Sequence, residues 1–221
     1  MAINWDAFSS IALVVIAVAM ATVFFTDRLR LPPPPEPVLI EDWAEHNQAG
    51  IRLGGAETAP LIITEFMDFT CPYCGSLAET TDSLVERFPS QFAVIFQHFP
   101  LLPGANSNSM AAAMAAECAA EQDMFKEMYQ SLFAHRTRIG RWDWIDFASE
   151  AGLPDQTAFN ACMERPAETF PRIAKGREIG QETGVRGTPT VWVNGEVVIA
   201  RTIDEFLQIA EERGIQLDPS Q

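Results

Sequence analysis

The clearest periodic pattern in the chain lies in residues 61–99. Residues 61–66 form an apolar, β-branched run and residues 92–99 form a second one, and each run predicts a buried strand. Between them, after Cys71, apolar residues recur at helical spacing up to Pro89, which is expected to stop the helix. The pattern therefore predicts a strand–helix–strand unit in this part of the chain.

Weaker patterns on both sides complete the predicted element order. Residues 38–48 are expected to form a short helix and residues 50–54 a short strand. Residues 106–180 have helical character almost throughout. Residues 190–200 predict a hairpin around an Asn-Gly turn, and residues 203–213 predict a closing helix. The order indicates an α/β protein in which a βαβ unit and a ββα unit are separated by a helical insertion.

The N-terminal segment is the longest uncharged stretch of the chain. Residues 11–25 carry no strongly polar group, and a helix needs about 20 apolar residues to cross about 30 Å of hydrocarbon. A cleaved secretory signal is the alternative, because Ala17 and Ala19 offer a small-x-small cleavage site. The absence of Lys and Arg before Asp6 favours an uncleaved transmembrane anchor. Two arginines just after the run favour a cytoplasmic domain, but the chemistry described below predicts an exported one.

A proline tract follows the predicted anchor. Four consecutive prolines at residues 32–35 favour a polyproline II spacer of roughly 20 Å. We divide the chain into an anchor, a linker, a first α/β part with the cysteine motif, a helical insertion and a second α/β part, at residues 1–30, 31–49, 50–104, 105–180 and 181–221.

Composition and charge limit the partners of the chain. It carries 30 acidic and 15 basic residues, for a formal net charge of −15. Such a surface repels phosphate backbones, so no nucleic-acid partner is expected. The hydrophobic content of 48% excludes intrinsic disorder.

Two cysteines at the predicted strand-to-helix junction carry the candidate chemistry. Cys71 and Cys74 are separated by two residues, which lets their sulfurs close a small ring on the first turn of a helix. Pro72 suits that turn because its missing N–H would be unpaired there. The helix dipole favours a thiolate at Cys71 but contributes only about 0.3–1 kcal/mol, so a strongly acidic thiol also needs direct N–H···S hydrogen bonds. Cys74 is expected to be more buried and to resolve a mixed disulfide.

A zinc site is the structural alternative for this cysteine pair. Zinc prefers four ligands, often in paired spacings, whereas Cys118 and Cys162 are isolated and the three histidines are scattered. We therefore predict no metal and no cofactor. A Cys-x-x-Cys motif at a strand-to-helix junction indicates a redox site.

Four further residues are candidates for the same site or its surroundings. Glu65 lies on the strand that leads into the motif, where a buried carboxylate with a raised pKa could relay a proton to or from Cys74. An exposed glutamate at the sheet edge is equally compatible with the sequence. Asp68 is expected to face solvent. Thr188 and Pro189 precede the hairpin and form a candidate cis peptide, which would expose the Thr188 backbone to an extended substrate segment.

Taken together, these residues resemble a known family. The stretch EFMDFTCPYC at residues 65–74, Phe99-Pro100-Leu101 and Gly187-Thr188-Pro189 are similar to motifs of the DsbA-like thiol:disulfide oxidoreductases, and the resemblance covers about residues 50–213. It implies a thioredoxin fold with an inserted helical domain. It implies that Cys71 is the nucleophile and Cys74 the resolving thiol. It also implies that Glu65 is the buried acid and that Pro189, preceded by Thr188, is the cis-proline.

The resemblance also bears on the other two cysteines and on Tyr73. It suggests that Cys118 and Cys162 bridge two helices of the insertion; two buried free thiols are the alternative. Tyr73 departs from the strongest oxidants of the family, which carry His between the cysteines. The thiolate of Cys71 is therefore expected to be less stabilised here.

The function predicted from the sequence is thiol–disulfide exchange by a membrane-tethered, exported domain. Its expected partners are thiol-containing protein substrates and a membrane redox partner, with electron flow in either direction. The expected location is the bacterial inner membrane, crossed once, with the domain in the periplasm or outside the cell. The alternative is an accessory or assembly subunit that associates stably with a multi-subunit membrane complex through its anchor, and uses the thioredoxin-like domain as a structural module.

Overall fold

The structure is a computed structural model, and the residues it describes are 38–102, 104, 107–218, Val18 and Met20. The strands of this described part are β1 to β5, at Ile51–Gly54, Leu61–Met67, Phe92–His98, Thr190–Val193 and Glu196–Val198. Its α-helices are α1 to α8, at Trp43–His46, Pro72–Arg87, Asn108–Ala120, Phe125–Ala134, Trp144–Glu150, Gln156–Met163, Pro171–Glu182 and Ile203–Glu212.

The chain divides into two compact units, Met1–Glu36 and Pro37–Gln221. The anchor predicted over residues 1–30 lies outside the described residues, except for Val18 and Met20. Within the described part of the chain, no helix combines the length and the apolar character needed to cross a membrane.

The sheet has the strand order β1-β3-β2-β4-β5 within the described residues. Strands β2 and β3 are parallel and are connected through α2, as the strand–helix–strand pattern predicted. The other neighbouring pairs are antiparallel. Six of the seven residues of β2 are buried, as expected for a strand with a neighbour on both sides and helices on both faces. Because β2 is central, its carboxyl end delivers the cysteine motif to the middle of the sheet edge.

The two faces of the sheet carry two apolar clusters. Ile63 and Met67 of β2 face the larger cluster, which includes α2, α8 and much of the helical insertion. Phe66 points to the opposite face and packs on Trp192 of β4, at a ring-centroid distance of 4.6 Å. Since successive side chains of a strand alternate, Glu65 lies on the same face as Ile63 and Met67.

The helical insertion packs around α3. Ten of the thirteen residues of α3 are buried, because its alanines allow neighbouring helices to approach on all sides. Cys118 of α3 and Cys162 of α6 form a disulfide with a Cα–Cα distance of 5.7 Å.

The observed element bounds differ from the predicted ones in several places. The helix predicted over residues 38–48 is only the four-residue α1, followed by a 3₁₀ turn. The last strand ends at Val198, because the next residue, Ile199, is 89% exposed and pairs with no strand. The last helix of the insertion, α7, runs two residues beyond the predicted end of the helical block at residue 180.

Candidate active site

The site is built on the start of α2. Cys71 is the N-cap residue of this helix, with extended backbone angles, and Pro72 occupies the first turn. The backbone N–H of Cys71 donates to the carbonyl oxygen of Asp68 at 3.0 Å, which turns the chain from β2 into the helix. The sulfur of Cys71 therefore lies at the helix end where free N–H groups and the positive end of the dipole favour negative charge.

Cys71 is an acidic thiol close to the surface. The side chain of Cys74 hydrogen-bonds the Cys71 sulfur and lowers the pKa of Cys71 most strongly, while partial burial raises it. The Thr188 side chain and the backbone of Cys74 and Tyr73 lower it further, so that the pKa is about 5.

Cys74 has the opposite character. Its side chain is fully buried, whereas Cys71 is 9% exposed. Burial raises the pKa of Cys74 well above its usual value, and the neighbouring Cys71 raises it further. A proton therefore stays on Cys74 when Cys71 is ionised, and the two sulfurs differ in the way that ordered attack and resolution require.

The loop before β4 closes the site from the opposite side. Thr190 of β4 pairs with Phe66 of β2, so residues just before β4 lie beside the residues just after β2. The Thr188–Pro189 peptide bond in this loop is cis. The Cys71 thiol donates to the carbonyl oxygen of Thr188 at 3.3 Å. Two predicted site residues more than 100 positions apart in sequence are thus in contact.

Glu65 is fully buried, on the face of the sheet that packs against α2. Burial is the main reason that its pKa rises from 4.5 to about 8, and the nearby charge of Asp82 raises it further. The Thr81 hydroxyl lies close enough to lower this pKa, but it donates its proton to the Leu77 carbonyl oxygen at 3.1 Å. Neither carboxyl oxygen has a hydrogen-bond partner among the described residues. The sequence was compatible with either a buried or an exposed glutamate at this position, and in the structure the Glu65 carboxyl is buried.

Asp68 was expected to face solvent, and this prediction is wrong. Its side chain is 2% exposed and accepts four hydrogen bonds. One carboxylate oxygen accepts from the N–H and hydroxyl of Thr70, and the other accepts from the Leu101 N–H at 2.8 Å and from the Ser109 hydroxyl. Asp68 therefore ties the loop before Cys71 to the end of the first α/β part and to α3 of the insertion.

Sequence reasoning missed two residues near the site. Tyr129 of α4 is buried against the same face of the sheet as Glu65, and Thr81 of α2 is fully buried beside it. The spacing of Thr81 from Cys74, seven positions, places both on one helix face and could have indicated the contact. No pattern in the local sequence around Tyr129 indicates that its side chain lies near the site. Within the described residues, no group of three or more His, Cys, Asp or Glu side chains could hold a metal ion.

The comparisons with known proteins agree with this geometry. A family model described as thioredoxin matches residues 47–212, so the chain belongs to this thioredoxin family. A thioredoxin-like oxidoreductase from Silicibacter pomeroyi is 26% identical, with a TM-score of 0.62, covering 79% of this chain and 97% of that one. Oxidised BdbD from Bacillus subtilis is 21% identical, with a TM-score of 0.63 and coverages of 75% and 92%. The thioredoxin fold predicted from the sequence is confirmed, because this family model covers most of the chain.

Curated relatives add a different kind of similarity. The Na(+)/H(+) antiporter NhaA 1 of Mycobacterium sp. (strain KMS) is 29% identical over 163 residues, which are 74% of this chain and 26% of the antiporter. The chain thus spans about a quarter of the length of the curated relatives that it matches.

Proposed function

We propose that the disulfide form of the Cys71–Cys74 pair oxidises thiols of protein substrates in an exported compartment. The observation that carries this proposal is the contrast between the two sulfurs. Cys71 lies near the surface with a pKa lowered to about 5, and Cys74 is buried with a raised pKa. A pair of this kind has one sulfur that can be attacked and released, and one that acts only within the protein.

The reaction then proceeds in two exchanges. A substrate thiolate attacks the Cys71 sulfur, the Cys71–Cys74 bond breaks, and its electron pair goes to Cys74, which takes a proton from Glu65. A second substrate thiolate attacks the substrate sulfur of this mixed disulfide and expels Cys71 as a thiolate. The substrate is oxidised to a disulfide, and the protein is reduced by two electrons. The low pKa of Cys71 favours this direction, because a more acidic thiol leaves faster.

The groove beside the cis-proline is our candidate for the substrate-binding surface. It has a volume of about 470 Å³ and is lined by residues 183–190 and by Val38, Trp192 and Val197. An extended segment in this groove would lie beside the backbone of Thr188, which contacts the Cys71 sulfur. Apolar segments of incompletely folded substrates fit such a surface.

The redox potential of the pair tests the direction. The pKa of Cys71 lies between the thiol pKa of thioredoxin, about 7, and that of DsbA, about 3.5. We therefore expect a potential between about −270 and about −120 mV. A potential below that of thioredoxin would show that the pair is a reductant and would overturn the proposed direction.

Catalysis is tested with a reduced dithiol peptide and three forms of the protein. The wild type should oxidise the peptide, Cys71→Ser should be inactive, and Cys74→Ser should accumulate a mixed disulfide through Cys71. The Cys118–Cys162 disulfide is retained in all three forms, so a common loss of stability does not account for a difference. Equal activity of Cys71→Ser and wild type would contradict the proposal.

Export and membrane tethering are further parts of this proposal. The uncharged run at residues 11–25 supports the tether, and the Cys118–Cys162 disulfide supports an oxidising compartment, because such bonds are rare in reducing ones. In intact cells treated first with a membrane-impermeant reductant that opens the Cys71–Cys74 disulfide, a membrane-impermeant maleimide should label wild type but not Cys71→Ser. Labelling only after lysis would place the domain inside the cell.

A second candidate function is supported by the antiporter relatives. Because the matched region is about a quarter of those membrane proteins, a thioredoxin-like domain of this type can act beside a transporter. The chain would then be an accessory subunit of a membrane complex. Co-purification of the full chain with a defined membrane protein in mild detergent, retained in Cys71→Ser, would favour this function over catalysis.

A further inference from the structure

The proton on Glu65 has no evident exchange partner in the buried core. Glu65 is fully buried, and both carboxyl oxygens lack a hydrogen-bond partner among the described residues. In the proposed reaction this carboxyl gives up and regains one proton in each cycle. A substrate bound at Cys71 covers the exposed side of the site during the same step. Exchange during this step therefore needs a path from another direction.

Tyr129 is the first candidate on such a path. Its side chain is 1% exposed, and its hydroxyl also lacks a hydrogen-bond partner within the described part of the chain. Its ring lies 5.7 Å from the ring of Phe96, and Phe96 is the β3 residue that pairs with Glu65. Parallel neighbours on one face stand about 5 Å apart, so the Tyr129 ring packs over the position beside Glu65. The Glu65 charge raises the pKa of Tyr129, in addition to the larger effect of burial.

A cleft opens between α2, α4 and strands β1 and β3. It has a volume of about 170 Å³, and its polar lining includes Asp82 of α2 and Lys126 and Gln130 of α4; we call it the Lys126 cleft. Asp82 follows Thr81 in sequence, and Gln130 follows Tyr129. The two residues that lie near Glu65 are therefore each followed by a residue that lines the cleft.

Charged residues that line the Lys126 cleft interact electrostatically with Glu65. Asp82 has a raised pKa, mainly because of burial, and the Lys126 charge and a Gln130 hydrogen bond oppose this rise. Glu86, one turn further along α2, raises it further. The charge of Asp82 in turn raises the pKa of both Glu65 and Tyr129. Asp82 lies eleven residues from Cys71 along α2, or about 16 Å, so the cleft is well removed from the Cys71 sulfur.

We propose that Glu65 exchanges its proton with solvent through the Tyr129 hydroxyl and Asp82 into the Lys126 cleft. This inference rests on the proposed function for its role in the cycle. After Glu65 has given its proton to Cys74, a water that fills the gap between the Tyr129 hydroxyl and the Glu65 carboxylate passes a proton to Glu65 and takes one from Tyr129. Tyr129 regains a proton from the Asp82 side, where water of the cleft supplies it. Tyr129 and Asp82 are positioning residues in this scheme, and no electrons move in the step.

The direct test measures proton exchange at Glu65 itself. The protonated carboxyl gives an infrared C=O band that should be absent in Glu65→Gln, and this band shifts when the full chain is transferred to D₂O. The Cys71 side is first blocked by alkylation with a bulky maleimide. The band should still shift at the wild-type rate after blocking, and Tyr129→Phe and Asp82→Asn should slow the shift at least about tenfold.

The controls separate this path from general effects. Tyr129→Phe removes only an unpartnered hydroxyl, so the fold should be retained. Glu79→Gln makes the same charge change as Asp82→Asn at an exposed position of α2 and should leave the rate unchanged. Unchanged exchange in both Tyr129→Phe and Asp82→Asn, or slowing by the maleimide alone, would overturn the inference.

A kinetic readout distinguishes its failure from failure of the proposed function. Tyr129→Phe should slow peptide oxidation and shift its pH profile, while the rate and pH dependence of Cys71 alkylation stay within about twofold of wild type. A wild-type protein that does not oxidise the peptide contradicts the proposed function only, because the infrared measurement does not require turnover. An Asp82→Glu variant should restore exchange if the carboxyl is what matters.

Discussion

Replacing Glu65 by Gln tests the central electrostatic feature of the site. The substitution keeps the size and shape of the side chain but removes its ability to ionise. In the unfolded chain this carboxyl loses its proton near pH 4.5, whereas in the folded protein it keeps the proton up to about pH 8. Between these values the folded state binds one more proton than the unfolded state. The free energy of unfolding contributed by this group therefore falls as the pH rises through this window.

The magnitude follows from the size of the pKa shift. Each pH unit within the window changes the free energy of unfolding by about 1.4 kcal/mol for one proton. The group is fully buried, so no solvent screening reduces this effect. Between pH 5 and pH 8.5, the stability of Glu65→Gln relative to wild type should rise by about 4 kcal/mol. The cost of burying the Gln amide is the same at all pH values, so the change with pH is the informative quantity.

Urea unfolding of the two reduced proteins at intervals of half a pH unit measures this difference. Glu79→Gln provides the matched control, because Glu79 lies on the exposed face of α2 and its replacement should give a difference independent of pH. A stability difference between Glu65→Gln and wild type that stays constant from pH 5 to pH 8.5 would refute the raised pKa. It would also remove Glu65 from the proposed proton transfer to Cys74.

Two further predictions concern a contact within the helical insertion and a contact between the insertion and the site. Replacing Cys118 and Cys162 by Ala should lower the free energy of unfolding by about 4 kcal/mol, because the bond closes a loop of 44 positions; urea unfolding measures it, and an unchanged midpoint would contradict the entropic account. Asp68→Ala should cost on the order of 3 kcal/mol, since it leaves the buried Ser109 hydroxyl and the partly buried donors of Thr70 unpaired. Its expected second effect is faster proteolysis near residues 68–70, and equal resistance to proteolysis would argue against Asp68 as the tie between loop and insertion.

Local sequence determined the elements that carry the cysteines. The apolar runs, the helical period after Cys71 and the Asn-Gly turn each depend on neighbours within a few positions, so the βαβ unit and the hairpin were predictable. The Cys-Pro-Tyr-Cys stretch is also local, because helix start, proline position and sulfur spacing are set within one turn. The same few positions predicted that Cys74 is more buried than Cys71.

Only the tertiary structure decided which polar groups are buried. Asp68 looked like a solvent-exposed loop residue, but Ser109 and Leu101 cover it from distant parts of the chain. Glu65 could have been exposed or buried, and the packing of the helical insertion, with Tyr129, decided between them. The burial of a polar side chain depends on whatever packs over it, and here those groups are separated from it by tens of residues. Local periodicity carries no information at that range, whereas the pKa values of the site depend on it directly.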